Sequence, residues 1–276
     1  MLDVGRQLVV PVGGPGGGRW MKILDLCSGG GMLGLAVEMA LLECAGVVAS
    51  PIAYCEIGDY PRRILSERMS DGSLHTAPIL QDATRLPLRD LLGRVDLVCA
   101  GIPCQPHSWA NRGRAGAADE RWLWDDIAGA LGALGRPVIF LENVSGLLSS
   151  GAFGIMSDLA ALGYDAEWSC LRASDVGQAH GRERLFILAA DSDRERRQGF
   201  YGRGQPARDA GRVGRDEVHP RPEEDGLPQP CDCGVGSGVA DRVDRTRAVG
   251  NGVDTIQAMV AFALLGVRLG LWEGLT

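Results

Sequence analysis

Short apolar runs alternate along this chain with longer segments whose apolar positions recur at helical spacing. MKILDLC (21–27) is apolar and runs straight into SGGG, which predicts a buried strand entering a glycine turn. MLGLAVEMALLECAG (32–46) keeps its apolar residues on one face and predicts a helix. PIAYCE (51–56) predicts a second strand, and YPRRILSERM (60–69) a second helix. APIL (77–80) and VDLVCAG (95–101) predict strands three and four, followed by a helix over 121–135 and a fifth strand, PVIFLE (137–142). A helix over 151–162, a sixth strand YDAEWSCL (164–171), and a seventh, RLFILAA (184–190), complete the series. Such alternation predicts an α/β fold, with a parallel-rich sheet covered by helices on both faces.

The flanking segments differ. Residues 1–20 carry VGGPGGG and little periodicity, and read as a disordered leader; Met21 is an alternative start. Domain one is therefore placed at 21–190. Residues 191–247 hold 11 Arg against 12 Asp plus Glu, with few apolar runs, so a small irregular region is expected there. Residues 248–276 contain an apolar helix, 253–270, expected to pack back on the first domain.

Composition narrows the class. At 276 residues, 45% apolar and 23% charged, the chain fits a soluble domain with a substantial core. No apolar run is long enough for a membrane-spanning helix, and the N-terminus lacks the build of a signal peptide. The eight Cys are scattered, mostly in apolar runs, which predicts reduced thiols and a cytoplasmic protein. A net charge of -7 gives no global basic field. The basic residues are nearly all Arg, with Lys22 the sole Lys. That suits phosphate and guanine contacts, although on composition alone GC-rich coding bias is the stronger explanation.

Ligands of open α/β sheets sit beyond the carboxyl ends of the strands, and the unusual polar residues fall there. Asp25-Leu-Cys27-Ser-Gly29-Gly-Gly31 follows strand one. Its glycines admit a ligand to the backbone, and the helix behind favours an anionic group. Glu56, 25 residues beyond Gly31, is placed to take both ribose hydroxyls of an adenosine cofactor. The glycine spacing is imperfect for a dinucleotide, so S-adenosylmethionine fits as well. Asp82 follows strand three. Cys104, in Gly101-Ile-Pro-Cys-Gln-Pro-His-Ser108, is the one cysteine on a polar loop where ligand is expected, and a thiolate there is a nucleophile. Cys44, Cys55, Cys99 and Cys170 read as inert small hydrophobes. Glu142, in Glu142-Asn143-Val144, is a carboxyl able to protonate a ring nitrogen if its pKa is raised. Arg182 and Arg184 share one face of a strand and could clamp a phosphate or a base oxygen. Each motif alone also has a bland reading: a structural turn, a capping acid, a solvated edge strand.

Together, in this order, the motifs closely resemble the cytosine-C5 DNA methyltransferase family. The likeness covers 21–190 and 248–276 and extends through Ser108, Gly116, Asp119, Arg121 and Leu123 to Gly250-Asn251. Pro103-Cys104-Gln105 and Glu142-Asn143-Val144 are its most specific parts. The departures are Cys27, Ile102 and His107 where Phe is usual, His180 for Gln, and Gly252 for Ala or Ser.

The resemblance implies a Rossmann-like S-adenosylmethionine-dependent methyltransferase sheet with a small target-recognition segment. It implies Cys104 attacking C6 of a flipped-out cytosine, Glu142 protonating N3, and Arg182 with Arg184 holding the base oxygen or a flanking phosphate. Asp25, Cys27, Gly29, Gly31, Glu56, Asp82 and Asn251 would serve the cofactor, with Asn251 bracing the catalytic loop. Gln105, Ser108, Arg194, Arg197 and Arg203 would meet DNA. The expected partners are double-stranded DNA and, in a restriction–modification pair, a cognate restriction endonuclease. A monomer in a bacterial cell or phage-infected host is expected. Cys231, Cys233 and His219 offer three ligands at no usual finger spacing, so no metal is expected. Two rivals keep the fold: a transfer RNA cytosine-C5 methyltransferase and a catalytically silent DNA-binding homologue. An unrelated thiol- or dinucleotide-dependent enzyme fits less of the pattern.

Overall fold

The computed structural model describes residues 20–103, 123–193 and 252–272. Seven strands form one sheet: β1 (Met21–Leu26), β2 (Ala49–Cys55), β3 (Ile79–Leu80), β4 (Leu97–Gly101), β5 (Val138–Val144), β6 (Tyr164–Arg172) and β7 (Glu183–Asp191). Their order across the sheet is β3-β2-β1-β4-β5-β7-β6. The first five are mutually parallel where they pair, whereas β7 lies antiparallel to both β5 and β6. The reason is the short link from β6 to β7, which holds only a 3-10 turn (Ala173–Val176) and a few further residues. A parallel return needs a crossover of a dozen or more residues.

The helices are α1 (Met32–Ala45), α2 (Asp59–Ser70), α3 (Leu88–Leu91), α4 (Trp124–Ala133), α5 (Ala152–Ala161) and α6 (Thr255–Arg268). Alternate strand residues feed two cores. Ile23, Leu97, Phe140, Phe186 and Leu188 face α1 and α6. Leu24, Val98, Ile139, Leu141 and Leu185 face α4 and α5. Phe140 anchors the first core, stacked on Phe186 at 5.7 Å and edge-on to Phe262 of α6 at 5.1 Å. Leu65 of α2 packs with Tyr54 and Leu74 in a third cluster.

Every strand differs from the sequence reading by one or two residues at an end, β2 and β3 among them. β2 begins at Ala49, ahead of Pro51. The β1–β2 register slips between Ile23 and Leu24, so Ile23 faces Pro51 and Leu24 faces Ala53. An irregularity of this kind accommodates a proline, which has no N–H for the ladder. β3 shrinks from four residues to two, Ile79 and Leu80, although Pro78 still accepts from the Tyr54 amide.

Candidate active site

The loop after β1 is built by its own backbone. Cys27, Gly29 and Gly31 all have positive φ, at 52°, 54° and 78°. Glycine enters that region freely, but Cys27 does so at a cost of about 1–3 kcal/mol. The Ser28 hydroxyl donates to Asp25 O at 2.7 Å and accepts from the Cys55 amide at 3.1 Å, stitching the ends of β1 and β2 together. Arg68 of α2 donates to Gly30 O from the other side. Glu56 joins in with both oxygens: Oε2 accepts from Gly29 N and Oε1 from Gly58 N, each at 2.8 Å. Among the described residues a Cβ at Gly29 would meet nothing within 4 Å, so they leave the loop open above it. α1 starts at this loop with no side-chain cap on its first turn.

Asp25 and Gly31 stand in the frame of this loop. Asp25 is fully buried and presents no surface to a ligand. β1 alternation turns it the same way as Met21 and Ile23, beneath the loop and against Gly34 of α1. A Cβ at Gly34 would lie 2.7 Å from Asp25 Oδ2. Neither carboxylate oxygen has a well-formed hydrogen bond, and burial pushes the Asp25 pKa up to about 7. Gly31 is needed for its backbone and for space, since a Cβ there would lie 2.6 Å from Leu74 Cδ1. Asp82 caps the 3-10 turn Ala83–Arg85, accepting from Thr84 N at 2.9 Å and Thr84 Oγ1 at 2.7 Å. These bonds from Thr84 lower its pKa.

A second group gathers at the ends of β4, β5 and β7. Glu142 pairs in register with Gly101 across β4 and β5. A Cβ at Gly101 would sit 3.6 Å from Cys27 O and 3.8 Å from Glu142 Oε2, so three strand ends converge on one small space. Arg184 pairs with Val144, and Glu142 with Phe186, which sets Arg184 diagonally across from Glu142 on the same face. Arg184 Nε donates to Glu142 Oε1 at 2.9 Å, with the two side chains 15% and 9% exposed. Burial raises the Glu142 pKa, while the charges of Arg184 and then Arg182 oppose the rise. The sheet thus brings Glu142, Arg182 and Arg184 together.

Asn143 adds a contact that the sequence left unassigned. Its Nδ2 donates to Ile102 O at 3.3 Å, and its Oδ1 accepts from Val144 N at 2.8 Å. It ties β5 to the residues that lead into Cys104. Gly34, Asp254 and Gln257 were also missed, although a glutamine inside an apolar helical run is itself a signal. Cys104, Gln105, Ser108, Asn251, Arg194, Arg197 and Arg203 lie outside the described residues. Burial raises the thiol pKa of every described cysteine: Cys27, Cys44, Cys55, Cys99 and Cys170. None of these five is an activated nucleophile.

The family model described as C-5 cytosine-specific DNA methylase matches residues 21–217. The chain belongs to the C-5 cytosine-specific DNA methylase family. Among curated relatives, the Type II methyltransferase M.CviJI of Paramecium bursaria Chlorella virus IL3A is 29% identical over 150 residues, covering 54% of this chain and 39% of that protein. Type II methyltransferase M.NgoMIV of Neisseria gonorrhoeae is 28% identical over 174 residues, covering 62% and 52%. The methylase chain therefore spans roughly two fifths to a half of the length of these relatives. Among solved structures, a mutant Spodoptera frugiperda DNMT2 gives a TM-score of 0.51 at 22% identity over 63% of this chain and 51% of that one. Entamoeba histolytica methyltransferase EhMeth gives 0.52 at 18% identity over 62% and 53%. At these identities the likeness is one of fold: the Rossmann-like methyltransferase sheet. No helix among the described residues is long and apolar enough to cross a membrane.

Proposed function

We propose that this methylase transfers a methyl group to C5 of a flipped-out cytosine in duplex DNA, through a covalent bond from Cys104 to C6. The observation that carries the reading is Glu142: a buried carboxyl with a raised pKa, held by Arg184 at 2.9 Å, at the strand end beside Gly101. A cytosine within a duplex hides its ring carbons and must leave the stack to be attacked. Cys104 Sγ adds to C6, and the electron pair released from the C5–C6 double bond is drawn toward N3. Glu142 keeps a proton on N3, which leaves C5 electron-rich. Arg184 and Arg182 hold Glu142 and the base oxygen. After C5 has been methylated its proton leaves to a base, Cys104 departs from C6, and the double bond is restored.

The loop residues fit S-adenosylmethionine. Glu56 spends one acceptor direction of each oxygen on Gly29 and Gly58, which leaves others for ribose hydroxyls. Among the described residues the space above Gly29 is open and the first turn of α1 carries no side-chain cap. Glu56, Gly29 and Asp82 would hold that cofactor, which supplies an electrophilic methyl group when bound, and Asn251 would brace the catalytic loop. Residues 191–247 would read the target sequence, with Arg194, Arg197 and Arg203 on phosphates or guanines.

The test is expression in a bacterial host that has no cytosine methylation of its own, followed by methylation sequencing. Methylated cytosines confined to one short motif are expected. Unmethylated DNA in cells that hold folded protein overturns the proposal, and methylation confined to RNA moves the substrate to the transfer RNA class.

A further inference from the structure

Gln257 is out of keeping with its surroundings. It is fully buried on α6, next to Ala258, Ala261 and Phe262 of the core. Burying an amide is costly unless its hydrogen bonds are made, so its partners matter. Gln257 Nε2 donates to Leu171 O at 2.7 Å and to Arg182 O at 3.0 Å. These two carbonyls stand at either end of the turn between β6 and β7, so one amide clamps both. Ala173 N donates to the same Arg182 oxygen at 3.0 Å, which closes the turn from within. Asp254 adds a third point: it caps α6 by accepting from Gln257 N at 3.0 Å and pairs through Oδ2 with His180 Nε2 at 3.2 Å.

The clamped residue is the first of the arginine pair. Arg182 lies within the electrostatic reach of Asp254, Glu142 and Arg184, and two residues further along β7 the Arg184 guanidinium sits on Glu142. A side chain leaves its strand in a direction set by the main chain beneath it, so fixing the Arg182 carbonyl fixes where both guanidinium groups project. Among the described residues the groups facing Glu142 are Arg184 and Arg182 from the β7 side and, from the strand ends opposite, Gly101 and the Cys27 carbonyl.

We infer that Gln257, supported by Asp254, is a positioning residue for the Arg182–Arg184 pair: the first turn of α6 holds the main chain from which both arginines reach Glu142. The inference rests on the proposed role of Glu142 at the cytosine ring. An apolar residue of similar size would fill the same space in the core but remove the amide that joins Leu171 O to Arg182 O, leaving Arg182 O to the Ala173 amide alone.

The test compares the full chain with Gln257→Met and Gln257→Glu. Glu142 is followed by 13C NMR of its labelled carboxyl, assigned with Glu142→Gln. Methyl transfer to DNA, affinity for S-adenosylmethionine and the thermal midpoint are measured alongside. Gln257→Met is expected to lower kcat by about 10- to 100-fold, the range seen when a distant change misplaces reacting groups by about 1 Å. Cofactor affinity stays unchanged, because Glu56 and the glycine loop lie on other strands. Glu142 titrates at higher pH than in the wild type, since Arg184 is no longer held against it. Gln257→Glu shows the same loss at alkaline pH and recovers in part at acid pH, where the protonated carboxyl donates one hydrogen bond.

A folded Gln257→Met protein with wild-type kcat and a wild-type Glu142 titration overturns the inference. If that variant fails to fold, Gln257→Glu is judged by the same two readings, and a pH-independent wild-type result overturns it. A wild-type chain that methylates no DNA defeats the proposed function instead, while the Glu142 titration still decides whether the clamp controls Arg184.

Discussion

Arg184→Met isolates the ion pair at the centre of the site. Methionine keeps much of the apolar stem of the arginine and removes its charge. In the wild type the guanidinium lies 2.9 Å from Glu142 Oε1, with both side chains mostly buried. Attraction between unit charges about 4 Å apart is roughly 4 kcal/mol at an effective dielectric of 20, and desolvation offsets much of it. Removing one partner is different, because the buried carboxylate left behind keeps its desolvation penalty. Such truncations cost about 3–5 kcal/mol. The charge of Arg182 offsets part of this, and Glu142 can escape the rest by taking up a proton. We therefore expect a loss near 3 kcal/mol at pH 8 and a smaller one at pH 5, because the raised pKa of Glu142 lets protonation relieve more of the unpaired charge as pH falls. The sign follows from linkage: a carboxyl whose folded pKa is raised is tolerated when protonated and becomes a burden as pH climbs through that pKa. Without Arg184 this burden is larger. Urea denaturation of wild type, Arg184→Met, Glu142→Gln and the double variant at both pH values completes the cycle. A loss that is the same at pH 5 and pH 8, or additive with Glu142→Gln, would refute the reasoning.

Asp25→Asn should flatten the fall in stability between about pH 4 and pH 7, since the folded pKa of about 7 stands far above the ordinary 3.8. At pH 8 the variant should be more stable by at most about 4 kcal/mol, read by chemical denaturation, and Glu38 should leave a smaller residual slope because its own pKa is also raised to about 7. Glu56→Gln replaces one acceptor with a donor aimed at Gly29 N or Gly58 N. Affinity for S-adenosylmethionine should fall about 10- to 100-fold in calorimetry, with the fold intact; an unchanged affinity would place the ribose elsewhere. Gly34→Ala should cost about 1–3 kcal/mol by thermal denaturation, because its Cβ would lie 2.7 Å from Asp25 Oδ2; a neutral result would mean that Asp25 moves freely.

The strands were legible because β1, β4, β5 and β7 are buried on both faces and read as continuous apolar runs. Glu142 and Arg184 were each legible as candidate site residues because each stands at the end of such a run, but their pairing was not. The sense of β7 was not stated by its residues, since it follows from the length of the turn before it. The burial of Asp25 was not read from its glycine motif, although the alternation of β1 puts it in phase with Met21 and Ile23. Gln257 announced itself as polar in an apolar helix. Its partners, Leu171 and Arg182, lie 86 and 75 residues away, and no local pattern names them.

The central claim is a bond from Cys104 to C6, and trapping tests it most directly. A duplex carrying 5-fluorocytosine at the methylated position has no C5 proton to lose, so a cysteine that has added to C6 cannot leave after methylation. Incubated with S-adenosylmethionine and this duplex, the wild-type chain should give a protein–DNA complex that survives denaturing electrophoresis, and Cys104→Ser should give none. A complex of equal yield from Cys104→Ser, or no complex from a wild-type chain that methylates the same site with ordinary cytosine, would contradict the account.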